Sequence, residues 1–204
     1  MIDVGRPVKD IQIDSSTSIE KIFQELSQSG GFESVNLSDG LEILTEMISD
    51  DKCLKFISFV GAIVSTGLRG IIKDMMKNKW FDVGITTCGA LDHDIARHFS
   101  HYNEGSFTMD DMELANQHIH RLGNVLVPMD SYGPLIEEKM TAFLEEEYAA
   151  GVREMNTAEI CRMIGKHLGE DSFLYWAYKN DISIVVPGIM DGAVGNQIWM
   201  FSQS

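Results

Sequence analysis

The sequence predicts an α/β protein built on a parallel sheet with helices on both faces. Three observations carry this. Short apolar runs at Lys55–Val60, Asp82–Thr87 and Ile182–Val186 recur between stretches of helical periodicity. The first two runs are each followed by a glycine and then a helical pattern, giving strand, helix, strand, helix, the order of parallel sheets. The third run, Ile-Ser-Ile-Val-Val, has the β-branched composition of a strand buried on both faces.

The elements follow in order. Thr17 and Glu20 have capping-box spacing, and Ile19, Ile22, Phe23 and Leu26 then line one helical face that ends at Gly30-Gly31. A second helix is expected over 37–49, with Leu37, Leu41, Leu44 and Ile48 inward. These two helices form an N-terminal extension, residues 1–52, to a main domain, residues 53–204. After the first strand, Gly61 opens a turn into a helix reaching Lys77, with Leu68, Ile72, Met75 and Met76 inward. After the second strand, Cys88-Gly89 turns into a helix over 90–99, and Leu122–Pro128 is a weaker strand signal. Pro134 suits the first turn of a helix running to Ala150, Thr157 can cap one ending near Leu168, and Ser172–Lys179 reads as helical. The acidic run Glu137–Glu147 reads as a solvated helix face.

The chain of 204 residues carries 16 Lys+Arg against 31 Asp+Glu, a formal net charge of -15. That balance disfavours nucleic acid and favours cationic partners such as polyamines or a basic protein. The charge-free stretch 56–68 is too short to span a bilayer, and the acidic N-terminus MIDVGRPVKDIQID lacks the apolar core of a signal peptide. Three widely spaced cysteines, Cys53, Cys88 and Cys161, suggest neither a disulfide framework nor a zinc ribbon, and a reducing cytoplasm is the default. His93, His98, His101, His118 and His120 fall in no HExxH or tight ligand cluster, so no metal is expected.

Ligands of open parallel sheets bind at the carboxyl ends of the strands. Three such ends can be read: Gly61–Gly67, Thr86–Asp94 and Pro187–Gly192. Each combines glycine with hydroxyls or carboxylates, although the GxGxxG dinucleotide fingerprint is missing. Asp92-His93-Asp94 reads either as helix capping beside a surface histidine or as two acids and a titratable base around a cationic substrate.

At these strand ends the chain resembles the archaeal-type deoxyhypusine synthases. The resemblance rests on Ser65-Thr66-Gly67-Leu68-Arg69, Asp82–Gly89, Leu91–Arg97, Arg121–Pro128 and Met190–Gly195, ordered segments at matching separation. It implies a Rossmann-like fold, a homotetramer, and NAD and polyamine sites at a dimer interface. It also implies a reaction in which NAD takes a hydride from spermidine, an enzyme lysine captures the 4-aminobutyl group, and the group passes to a lysine of the hypusine-containing translation factor. The NAD-binding segments fall on Gly61, Ala62, Ile63, Val64 and Ser65, and on Thr87, Cys88 and Gly89, with Asp191 as a further NAD ligand. Asp92 and His93 stand where eukaryotic members have two glutamates, and Asn196 where they have a polyamine-binding aspartate. Asp92 is thus expected to hold an ammonium group and His93 to act as a base.

The resemblance further implies that the family continues for about a hundred residues, including a Trp-Gly-Lys motif with the nucleophilic lysine. No lysine here matches it, so no nucleophile is assigned, and the sheet is expected to be incomplete at the C-terminus. A split or processed chain with a C-terminal companion, or an intervening element leaving Ser204 at a junction, accounts for this expectation. Two alternatives stand beside it: a homospermidine synthase-like aminobutyl transferase, for which His93 and Asn196 leave room, and a non-catalytic regulatory paralogue.

Overall fold

A computed structural model describes residues 5–203, so the first residues of the N-terminal segment and the Ser204 junction lie outside the described residues. The described residues form two compact units that divide between Leu54 and Lys55.

The first unit holds α1 (Ile19–Ser29) and α2 (Ser34–Ser49), packed on each other. Helix α1 is capped by Ser18, whose hydroxyl accepts from the Lys21 amide. Thr17, the expected cap, instead closes a turn with Asp14, accepting from the Asp14 amide at 2.8 Å. The inward face expected for α2 is not buried: Leu37, Leu41 and Leu44 are all exposed, as is Ile19 of α1. Two helices alone offer too little surface to cover both apolar stripes.

The second unit contains the core. Its strands β1 (Phe56–Phe59) and β2 (Val83–Thr86) are joined through α3 (Gly61–Val64) and α4 (Arg69–Lys77). Thus the helix expected from Gly61 to Lys77 is broken at Ser65–Leu68. Leu68 flanks this break and is 50% exposed, while Arg69 turns inward in its place. Helix α5 (Cys88–Phe99) follows β2. The single strand expected over 122–128 is one arm of an antiparallel hairpin. A two-residue strand β3 (Asn103–Glu104) and β4 (Ile119–Leu122) flank β5 (Val125–Pro128), with α6 (Asp111–Asn116) between β3 and β4. Gly123, at φ 64°, makes the β4–β5 turn that a side chain would strain.

Helices α7 (Gly133–Ala149), α8 (Thr157–His167) and α9 (Phe173–Lys179) precede β6 (Ser183–Val185), and α10 (Ala193–Gln203) follows it. The cap of α8 is Asn156, not Thr157, in a full capping box with Glu159. The strand order is β1-β2-β6, all parallel, with Ile57 opposite Gly84 and Gly84 opposite Ile184.

The fold class is the expected α/β parallel sheet, but cover on its two faces is unequal. One row of side chains (Phe59, Thr86, Ile184) is buried, with Phe59 and Ile184 in the core and Phe59 edge-on to Phe173. The alternate row is more open, with Phe56, Ser58, Ile85 and Ser183 exposed and Val83 and Val185 half-buried. The β6 run is therefore fully buried on one face, through Ile182, Ile184 and Val186, and partly covered on the other, where Val185 is half-buried.

Candidate functional site

The carboxyl ends of β1, β2 and β6 converge on one open cleft, lined by Val60, Thr87, Pro187, Gly188 and Asp191 together with strand residues Ser58 and Ile85. This is the position where open parallel sheets take ligands. Thr87 joins two of the three ends, its hydroxyl accepting from the Gly61 amide at 3.0 Å. Gly61 has to be glycine, since a β-carbon there would lie 2.6 Å from the Gly89 backbone. The starts of α3 and α5 are thereby brought into contact.

The residues of the first segment differ in accessibility. Ala62 is exposed, Ile63 is half-buried, and Gly61, Val64 and Ser65 are buried. The Ser65 hydroxyl is turned back onto the Ala62 carbonyl at 2.8 Å. Of the second segment, Thr87 is exposed, Gly89 half-buried and Cys88 buried, with its thiol pushed up to about 12 by burial and then by the Asp92 charge. A thiol in that state stays protonated at neutral pH and packs as a small apolar group.

Asp92 does not face the cleft as an open carboxylate. It is 1% exposed. Its Oδ2 accepts from the Tyr132 hydroxyl at 2.7 Å and the Ala193 amide at 2.9 Å, and its Oδ1 accepts from the Val194 amide at 2.9 Å. The two amides belong to the first turn of α10, so a side chain from α5 caps a helix about a hundred residues away in sequence. Within this chain Asp92, the expected ammonium ligand, has its carboxylate oxygens bonded to Tyr132 and to the start of α10. Gly192 makes the approach possible, because a β-carbon there would sit 2.6 Å from Asp92 Oδ2 and 2.8 Å from Cys88 Sγ.

His93 is half-buried, one turn from the start of α5. Its Nδ1 lies 2.9 Å from the Tyr102 hydroxyl, and its ring makes edge contacts with Tyr102 and tilted contacts with Tyr132. Burial holds its pKa below the ordinary histidine value, against the pull of Asp92, so the ring is neutral at pH 7. Arg97, one turn further, donates to the Val64 and Thr66 carbonyls and fixes the loop between α3 and α4. Asp191 and Asn196 are exposed, the first at the cleft mouth and the second on α10.

Asp94 carries a second network that the motif alone did not reveal. It is fully buried and accepts from Arg69 Nε at 2.7 Å, the Ser172 hydroxyl at 2.6 Å and the Leu174 amide at 3.1 Å. Arg69 also reaches Asp171 at 3.3 Å, and Asp171 holds His98 at 2.6 Å. Successive acids of α5 therefore each cap a distant helix: Asp92 caps α10 and Asp94 caps α9. The available signal was Ser172, a typical helix cap, placed before an apolar run.

A family model described as deoxyhypusine synthase matches residues 21–204. The chain belongs to the deoxyhypusine synthase family. Among its relatives are proteins named "Probable deoxyhypusine synthase" from Thermoplasma volcanium and Picrophilus torridus. They are 47% and 46% identical over 97% and 96% of this chain, and the matches cover 64% and 62% of their own lengths. The chain thus spans less than two thirds of the curated relatives it matches. A crystal structure titled as a "putative deoxyhypusine synthase" from Entamoeba histolytica superposes with a TM-score of 0.65 at 18% identity, covering 96% of this chain and 67% of that one. At that identity the likeness speaks for the fold. Among the described residues no helix is long and apolar enough to cross a membrane.

Proposed function

We propose that this chain forms part of the NAD and spermidine site of an enzyme that transfers the 4-aminobutyl group of spermidine to a lysine of the hypusine-containing translation factor. The observation that carries this reading is the strand-end cleft with Asp191 at its mouth and Thr87 tying α3 to α5, found in a chain of the deoxyhypusine synthase family.

The residues present fit a dinucleotide. The cleft offers an exposed carboxylate suited to ribose hydroxyls and an exposed threonine hydroxyl at the N-cap of α5, beside a helix start that favours anionic groups. Asp191, Thr87 and Gly89 would hold it. Bound NAD would supply hydride acceptance from the amine carbon and its later return. The protein's part is positional and protonic. His93 Nε2, the ring nitrogen left by the Tyr102 contact, takes a proton from the substrate amine, and its neutral ring imposes no repulsion on a polyamine. The net charge of -15 favours both cationic substrates. The nucleophilic lysine falls to a portion corresponding to the unmatched third of the relatives, and the working assembly is a cytoplasmic homotetramer.

Asn196 and His93, which take the places of carboxylates, favour a second reading in which the acceptor is a small amine. The test is to express the chain with such a C-terminal portion and to supply NAD and radiolabelled spermidine. Release of 1,3-diaminopropane with label on the basic translation factor is the expected result. Label passing only to putrescine would establish the homospermidine synthase-like reading. Absence of any amine cleavage would leave the regulatory role.

A further inference from the structure

Asp92 is closed to solvent, and besides the Cys88 thiol one turn before it on α5, 3.9 Å from Oδ1, its side chain meets three donors from two directions. Ala193 and Val194 approach from the start of α10, and the Tyr132 hydroxyl approaches from the junction between the hairpin and α7. Tyr132 is itself placed by its backbone, with its amide donating to the Met129 carbonyl at 3.2 Å and its carbonyl accepting from the Ile136 amide at 2.9 Å. Burial and the neighbouring Asp92 charge push its phenol well above the ordinary value, so the hydroxyl keeps the hydrogen it donates.

The segment these bonds reach is the one that ends in Asp191. Only Gly192 separates Asp191 from the bound Ala193 amide, and the close fit of Gly192 on Asp92 and Cys88 allows that link little play. On the other side, the Asp191 amide donates to the Gly188 carbonyl at 3.0 Å, closing the turn that lines the cleft. A carboxylate that met an ammonium directly would have to release these three donors, each a charge-assisted bond of the stronger kind.

We propose that Tyr132 and Asp92 are positioning residues that act through the start of α10 to hold the Gly188–Gly192 turn, and with it the Asp191 carboxylate, at the mouth of the strand-end cleft. They govern dinucleotide affinity without touching the dinucleotide. The inference rests on the reading of that cleft as the NAD site.

The probe is Tyr132→Phe, which removes one hydroxyl and leaves the ring. Amide hydrogen exchange on the chain alone should speed up at Ala193 and Val194 by about tenfold, the factor expected from losing one bond to a charged group. The Leu174 amide, anchored on Asp94, should be unchanged. In the chain assayed with its C-terminal portion, KM for NAD should rise about tenfold while KM for spermidine stays put. Asp92→Asn should move the same two readouts further in the same directions, and if it fails to fold, Tyr132→Phe decides. Unchanged exchange at Ala193 and Val194 would overturn the positioning role. So would a rise in KM for spermidine with KM for NAD unmoved, the signature of a direct amine ligand. Wild-type protein that takes up no NAD would overturn the cofactor reading, and the exchange arm would still decide the positioning claim.

Discussion

The ion pair of Arg69 and Asp94 has almost no contact with water, with side-chain exposures of 8% and 0%. Each charge is held by several partners, which is the condition under which a buried pair is tolerated. Asp94→Asn would leave Arg69 facing a neutral amide and is expected to lower stability by about 3–5 kcal/mol, read from the urea midpoint. His93 supplies a pH dependence of known sign. Its folded pKa lies below the unfolded value near 6.5, so below that pH the unfolded chain binds more protons. Stability is therefore lost as pH falls from about 6.5 through the lowered folded value. His93→Gln should flatten that part of a plot of Tm against pH. At this scale the sequence marked the right cluster, Asp92-His93-Asp94, but not the side-chain destinations. A helix places neighbours at 100° intervals, so acids two apart face different elements, and those elements lie too far along the chain for local spacing to name them.

Elements were legible where periodicity was strong and weak where caps or turns decide the outcome. The strands β1, β2 and β6 sit inside the three apolar runs, trimmed by a residue or two at their ends. The β4–β5 hairpin was read as one strand because His120 and Arg121 interrupt the apolar signal of its first arm. Helix α10 carries little polar contrast along its apolar length, so no amphipathic stripe announced it. The cap of α8 shifts by one residue because Asn156 accepts from the Ala158 and Glu159 amides while Glu159 returns a bond to the Asn156 amide at 2.7 Å. Asn156→Ala should cost about 1 kcal/mol, measured by chemical denaturation, whereas Thr157→Ala should cost less, since its hydroxyl caps nothing at that end.

On the scale of the molecule, every member of the buried core belongs to the unit that begins at Lys55, from Phe59 to Val194. Among the described residues the first unit buries Ser29 alone and leaves most of its leucines and isoleucines exposed, with Leu26 and Ile48 half-buried. A chain starting at residue 55 is therefore expected to keep the near-ultraviolet circular dichroism of the full chain and a single cooperative unfolding transition. Loss of either would show that the core depends on the N-terminal helices. Composition pointed to a cationic partner and the motifs to the family, but neither could show that the sheet's two faces are covered unequally. That depends on which helices are present to cover each row of side chains.

The two buried acids of α5 also set a timetable for synthesis. Their helix-start ligands lie 78 to 102 positions downstream, so at about 5–20 residues per second a ribosome needs several seconds or more to deliver them. Until then Asp94 has Arg69 but not the start of α9, and Asp92 lacks the two amides of α10, so neither acid has the full set of donors that its burial requires. The nascent chain therefore waits, with α5 unlatched, for residues 172–174 and 193–194.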